Sequence, residues 1–239
     1  MKLTVLGSSS SGNCYLIHND NECLIIEAGI RLQDVKKAID FKTSIVSGCL
    51  SSHSHGDHAK YIEQYAKAGI PVYGHETVFE MRNQHHNYHF IHERKSFKVG
   101  RFRVLPLPLT HDVPCFGFYI NHPDTGNFCF ITDTAEVNYK FKELNHVLIE
   151  CNYDRDLIDT NETLYQIRDR VITSHLSLEQ CVDFLHNNDL SQVYNVVLLH
   201  ASDFNSDTRY FKRKVESVFN KSVYVAEKGL KIDLNNSPF

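Results

Sequence analysis

The six residues from His53 to His58, HSHGDH, place three imidazoles and a carboxylate side by side. Neutral imidazole nitrogens and carboxylate oxygens are the donors that zinc, iron and manganese accept, and this run holds enough of them for two ions rather than one. The plainer alternative is a polar turn in which Asp57 caps a following helix, but a cap requires none of the histidines. The chain has 15 histidines in 239 residues, heavy use of a residue whose special roles are proton transfer and metal binding. A second concentration, His85, His86, His89 and His92, has no carboxylate or cysteine interleaved and reads as a solvated face. The basic run Lys212, Arg213, Lys214, with Arg209 nearby, reads as a solvated helix face.

Donors this close in sequence need elements that aim them at one volume. Strand side chains repeat every two residues, so if residues 51–55 finish a strand, His53 and His55 share a face. Gly56 then permits a sharp bend, and Asp57 and His58 point back from the first turn of a helix. SIVSGCLSS (44–52) reads as that strand. HAKYIEQYAKAG reads as that helix, with Tyr61, Ile62, Tyr65 and Ala66 at helical spacing and Gly69 and Pro71 ending it.

Upstream, KLTVL (2–6) and CLIIE (23–27) read as paired strands. Downstream come a short strand at PVYG, a helix over HETVFEMRN, and strands at RFRVLPLPL, CFGFYIN and NFCFITD, the last two joined by the turn HPDTG. VLIEC (147–151) reads as a buried strand, and 156–170 as partly helical. LSLEQCVDFLHNN reads as a helix with Cys181, Val182 and Leu185 on one face. VYNVVLLH (193–200), a helix over DTRYFKRKVESVF, and SVYVAEKGLKIDL close the chain. The strands fall into two groups, each accompanied by helices, with no repeat or linker between them. The expected class is α/β, a two-sheet core covered by helices on both outer sides, in a single domain over 1–239.

No stretch approaches the roughly 18 apolar residues of a membrane span, and MKLTVLGSSSSGN meets a polar turn too early for a signal peptide. The expectation is a cytoplasmic protein with no membrane partner. Seven cysteines, none in a CxxC pair, sit mostly among apolar residues and read as free core thiols rather than metal ligands. A net charge of −4 gives no overall basic character that would by itself advertise a nucleic-acid partner.

HSHGDH resembles the HxHxDH signature of the metallo-β-lactamase superfamily, and that family's remaining ligands have matches in order: His111 in THD, Asp133 in FITDT and His200 in VVLLHAS. The resemblance runs from the first strand to the helix after His200. It implies a four-layer αββα sandwich with the site where loops meet at one edge of the two sheets. It also implies two divalent metal ions, zinc or manganese: His53, His55 and His111 for one, Asp57, His58 and His200 for the other, with Asp133 bridging.

Fold does not choose a substrate in so diverse a superfamily. The third-motif histidine here lies in LPLTHDVPCFGFYI rather than in a glycine-rich TPGHTPG-like stretch, which is similar to the phosphodiesterase branch containing ribonuclease Z and the WalJ/YycJ-type exonucleases. GSSSSGNCYLI, VLIECNYD and SHLSLEQC resemble further segments of the WalJ/YycJ group. The resemblance implies Glu150 and His175 as a catalytic pair, Asp57 as a catalytic carboxylate as well as a ligand, and Ser11, Asn13 and Asn152 as substrate contacts. One departure stands out: the family's first motif carries Asp, in DAG or DCG, whereas this chain has EAG with Glu27, which leaves a longer carboxylate to orient a ligand histidine.

The expected activity is a dinuclear metal-dependent phosphodiesterase, a nuclease of the DNA 5′-exonuclease kind acting on nucleic acid. The alternative within the same chemistry is a phosphodiesterase for cyclic nucleotides or other small phosphodiesters. A thioester or lactone hydrolase is disfavoured by the residues around His111.

Overall fold

Cys23–Ile26 is buried at all four positions, so this strand has covered faces on both sides. Leu24 and Ile26 belong to one apolar cluster and Cys23 and Ile25 to another, as the two-residue repeat of a strand requires. The same division recurs in the second half of the chain. Phe128 and Phe130 join Leu24 and Ile26, while Cys129 and Ile131 turn the other way.

The structure, a computed structural model, describes residues 1–80, 82–160, 165–202 and 205–237. The first sheet is built from β1 (Lys2–Gly7), β2 (Cys14–His18), β3 (Cys23–Ile26), β4 (Val46–Leu50), β5 (Val72–Gly74) and β6 (Tyr88–Phe90). The second contains β7 (Phe97–Val99), β8 (Phe102–Leu109), β9 (Cys115–His122), β10 (Gly126–Ile131), β11 (Leu144–Glu150), β12 (Asn195–Leu199) and β13 (Ser222–Val225). The last strand, β14 (Lys231–Asp233), returns to the first sheet and pairs antiparallel with β1. Each sheet is mixed. β1 to β3 and β7 to β10 are antiparallel, whereas β3 to β6 and β10 to β13 run parallel.

The central layer between the sheets is aromatic and aliphatic, with Tyr15, Phe102, Phe118, Phe128 and Phe130 fully buried in it. The helices α1 (Leu32–Ala38), α2 (Gly56–Ala59) and α3 (Ile62–Lys67) cover the outer face of the first sheet. Beyond β11 follow α4 (Arg155–Thr160), α5 (Tyr165–Ser174), α6 (Leu178–His186) and α7 (Thr208–Val218). Of these, α6 and α7 pack on the outer face of the second sheet through Leu178, Cys181, Phe184, Leu185, Phe211 and Val215. The layers are therefore α, β, β, α, as expected. All seven cysteines are free and buried, and among the described residues no helix is long and apolar enough to cross a membrane.

Pro106 and Pro108 sit in the part of β8 beyond the end of β7, where only β9 is paired, so their missing N–H groups cost the sheet nothing. Several expectations need correction. β4 ends at Leu50 rather than at residue 52, because Ser52 N–H leaves the sheet for the Glu27 carboxylate. His53 and His55 thus lie in a loop, not on one strand face.

The helix after the motif is split in two. Asn13 N–H takes the Asp57 carbonyl and Ala28 N–H takes that of His58, while Tyr61 N–H turns to Ala28 O. The two carbonyls that would have continued the helix are therefore occupied by neighbouring loops. The helix expected over 75–83 is only a 3-10 turn, Glu76–Val78, with Met81 outside the described residues. β6 and β7 are additional short strands. Residues 156–170 are helical in α4 and the start of α5, with 161–164 outside the described residues.

Candidate metal centre

Glu27 follows β3, His53 follows β4, His111 follows β8, Asp133 follows β10, Glu150 ends β11 and His200 follows β12. The two sheets thus deliver these side chains to one common edge, and α2 adds Asp57 and His58. Three of the residues hold left-handed backbone: Glu27 at φ 68°, Asp133 at φ 40° and His200 at φ 50°. For residues other than glycine this conformation is costly and persists where the surroundings enforce it, a pattern concentrated at functional sites.

Donor atoms of His53, His55 and His111 lie within 4.8 Å of one another, as do those of Asp57, His58 and His200. Asp133 spans the two groups: its Oδ2 is 3.9 Å from His53 Nε2 and its Oδ1 is 3.4 Å from His58 Nε2. Within the first group His111 Nε2 and His55 Nδ1 are 3.3 Å apart. Within the second, Asp57 Oδ2 is 3.2 Å from His58 Nε2 and 3.3 Å from His200 Nε2.

Four of these histidines have a polar partner at the other nitrogen, whereas His58 Nδ1 is buried without a hydrogen bond. Ser52 Oγ is 2.8 Å from His53 Nδ1, and Asp112 Oδ1 is 3.3 Å from His55 Nε2. His111 Nδ1 donates to Ser174 O at 2.9 Å, while the Asn152 amide and the Glu150 carboxylate stand 3.1 and 3.6 Å from His200 Nδ1. Glu27 Oε2 lies 3.6 Å from His58 Nδ1. Such outer partners fix tautomer and ring orientation at metal centres.

The donor set fits divalent cations. His53 Nε2 is buried without a hydrogen-bond partner and faces the Asp133 carboxylate, an arrangement that a cation between the two atoms would satisfy. Glu27, Asp133 and Glu150 are all buried, and their ion-pair partners are histidines. The electrostatics agree. Burial opposes charge on His200, but the Asp133 charge and the bonds to Asp57 and Glu150 push it up to about 10. Burial would raise Asp57, yet bonds from His200 and His58 outweigh it and hold the carboxyl well below the usual carboxylate range. His53 and His111 go the other way, driven down mainly by burial, so they are neutral donors at physiological pH.

Beside the cluster, His175 Nδ1 is 2.7 Å from Glu150 Oε1. The second oxygen of Glu150 accepts from Thr134 N–H and Leu176 N–H, both at 3.0 Å, so the carboxylate is locked in place. Burial lowers the basicity of His175, but the Glu150 charge and bond, together with the Asp133 charge, more than compensate and raise it.

Of the expected substrate contacts, only Ser11 is exposed. Asn13 and Asn152 are buried and lie behind the cluster. Asn13 Nδ2 donates to Asp57 Oδ2 at 3.2 Å, and Asn152 Nδ2 donates to His200 O at 2.7 Å. A side chain consumed in holding a ligand residue is not displayed to a substrate, so both are corrected from contact to support. Gly29 of EAG is required here because a Cβ would collide with the Asp57 carbonyl.

Sequence reasoning passed over Ser52, Asp112 and Ser174. Asp112 carried the clearest signal, a carboxylate next to His111. Ser174 acts through its carbonyl, which any residue type would supply. His85, His86, His89 and His92 fall on and around β6, away from every donor group among the described residues.

A sandwich of two mixed sheets between helical layers, with imidazoles and carboxylates gathered on one sheet edge, defines a metallo-β-lactamase-fold hydrolase. Residues 31–200 match the β-lactamase superfamily domain, and the chain belongs to that superfamily. It is similar to exodeoxyribonuclease WalJ of Streptococcus pneumoniae serotype 2, with 23% identity over 223 residues that cover 86% of this chain and 83% of the relative. With exodeoxyribonuclease YycJ of Bacillus anthracis it shares 24% identity over 234 residues, 91% and 89% of the two chains. The metallo-β-lactamase fold protein YhfI from Bacillus subtilis superposes over 97% of this chain and 99% of its own, with a TM-score of 0.74 at 16% identity.

Proposed function

We propose that this hydrolase is a dinuclear phosphodiesterase, a nuclease acting on DNA from the 5′ end in the cytoplasm. The observation that carries the reading is the Glu150–His175 pair, held against the bridging carboxylate Asp133 at 3.9 Å and 18% exposed at the His175 side chain. A phosphodiester needs help chiefly with its leaving alkoxide, and a protonated imidazole locked beside the cluster meets that need.

A first ion would be held by His53, His55 and His111 and a second by Asp57, His58 and His200, with the Asp133 carboxylate between the two groups. Two divalent ions, zinc or manganese, would supply Lewis acidity there, neutralising phosphate charge and bringing the pKa of water toward neutrality. The protein's own part is positional and protonic. Asp57, kept ionised by its two histidine neighbours, holds its place in the donor set and can accept a hydrogen bond from the attacking water. Glu150 fixes His175 through Nδ1 and favours its protonated form, which leaves Nε2 to hand a proton to the departing oxygen. Ser11, exposed on the glycine- and serine-rich loop after β1, is suited to a phosphate oxygen.

The names of the two exodeoxyribonuclease relatives support DNA as substrate. The test offers metal-loaded protein 5′-labelled single-stranded and duplex DNA, RNA, cyclic nucleotides, a lactone and S-lactoylglutathione, beside a His55→Ala control. DNA cleavage from the 5′ end, lost in the control, is expected. Turnover of the lactone or the thioester with none on any phosphodiester overturns the reading.

A further inference from the structure

A chain of hydrogen bonds made by residues that take no part in the proposed chemistry runs behind the second donor group. His200 N–H donates to Ser8 Oγ at 2.9 Å. Ser8 Oγ is 2.7 Å from Tyr15 Oη, and Tyr15 Oη donates to Asn13 Oδ1 at 3.3 Å. Asn13 Nδ2 then reaches Asp57 Oδ2 at 3.2 Å and His58 Nε2 at 3.1 Å.

The polarity of this chain is set from the Asn13 end. The Asp57 carboxylate and the Ser9 carbonyl can only accept, so the Asn13 amide turns its NH2 to them and its oxygen to Tyr15. Tyr15 has a single proton and gives it to Asn13, so the Ser8 hydroxyl donates to Tyr15 while accepting from His200 N–H. Asn13 is also pinned through its backbone: its N–H donates to Asp57 O at 2.7 Å, and its own carbonyl accepts from Gly29 at 2.9 Å. Tyr15 and Asn13 are fully buried, and the Tyr15 ring packs edge-on against Phe130 with centroids 5.1 Å apart.

Asp57 and His200, two members of one donor group, are therefore held by a single relay, which touches the third, His58, at the nitrogen that faces Asp57 and Asp133. The other group rests on separate supports: Ser52 behind His53, Asp112 behind His55 and Ser174 behind His111. Ser8, Tyr15 and Asn13 are distinct from those three supports, although Glu27, which faces His58 and accepts from Ser52 N–H, joins the two sides.

We propose that Ser8, Tyr15 and Asn13 are positioning residues specific to the ion held by Asp57, His58 and His200, so that the affinities of the two ions can be changed independently. The inference rests on the two-ion reading above, but not on the identity of the substrate. Relays of this kind tune metal affinity by about 10- to 100-fold.

The test is calorimetric titration of Mn2+ into the metal-free chain, with the thermal midpoint of the metal-free protein measured alongside. Wild type is expected to take up two ions. Tyr15→Phe, which keeps the ring and removes the relay proton, should weaken one of the two binding steps by about 10-fold and leave the other within about twofold. Asn13→Ala should weaken the same step, and Ser52→Ala the opposite one. If Tyr15→Phe fails to fold, Ser8→Ala cuts the relay at a half-buried position and carries the same expectation.

Equal weakening of both steps by Tyr15→Phe, no weakening of either, or weakening of the step that responds to Ser52→Ala overturns the proposal. A wild-type chain that takes up a single ion overturns the two-ion reading itself, a result distinguishable from two ions with an insensitive relay.

Discussion

Glu27 stands where the family motif carries Asp, and the structure accommodates the extra methylene by giving its carboxylate two tasks. Both oxygens accept from Ser52 N–H at 3.3 Å, which ends β4, and Oε2 faces His58 Nδ1 at 3.6 Å. Replacing Glu27 with Gln keeps the size and removes the charge opposite His58. Metal affinity should fall by about 10-fold or more, read by competition with a chromogenic chelator. At the same scale, His175→Ala should retain full metal content, because His53, His55, His58, His111 and His200 keep their own partners. Its rate should fall far more on an alkyl phosphodiester than on bis-p-nitrophenyl phosphate, whose leaving group needs no proton. Equal losses on the two substrates would remove the acid role from His175.

Between residue and fold, the helix α6 sets the position of His175. Ser177 Oγ accepts from Gln180 N–H at 3.2 Å and Gln180 Oε1 accepts from Ser177 N–H at 3.0 Å, a reciprocal cap, and the preceding Leu176 N–H is anchored on Glu150. Start of helix, carboxylate and imidazole are thus one unit. Ser177→Ala should destabilise the protein by about 1 kcal/mol, measured by urea denaturation. This helix was legible in the sequence from Cys181, Val182 and Leu185 at helical spacing, and the structure adds Leu178 and Phe184 to its buried face. The break between α2 and α3 was not legible. It depends on Asn13 and Ala28, residues 44 and 30 positions before the carbonyls they take, and periodicity over a dozen residues carries no sign of them.

Across the whole molecule, acid sensitivity should originate partly far from the metal centre. His146, in β11, is fully buried against Asn195, and burial first of all holds its pKa down to about 4, against 6.5 ordinarily. Between those values the unfolded chain binds the proton and the folded chain does not, so stability rises with pH. The contribution is complete above about pH 6.5 and is lost as pH falls toward 4, at most about 3 kcal/mol at roughly 1.4 kcal/mol per pH unit. His146→Gln should flatten that part of the stability profile in denaturant titrations at pH 4 to 7. An unchanged difference between pH 7 and pH 4.5 would exclude His146 as a source.

The sequence by itself made the HSHGDH run and the layered class legible, because residue type and strand periodicity are local properties that survive without coordinates. His111, Asp133 and His200, each just after an apolar strand, came from the family resemblance. The tertiary structure alone decided how those side chains are supported. It moved His53 and His55 from a strand face into a loop and turned Asn13 and Asn152 from substrate contacts into buried supports. It also sent β13 and β14, adjacent in sequence, to different sheets. Each of these depends on which distant backbone N–H or carbonyl satisfies a buried polar group, a requirement met only once the two sheets have closed on one another.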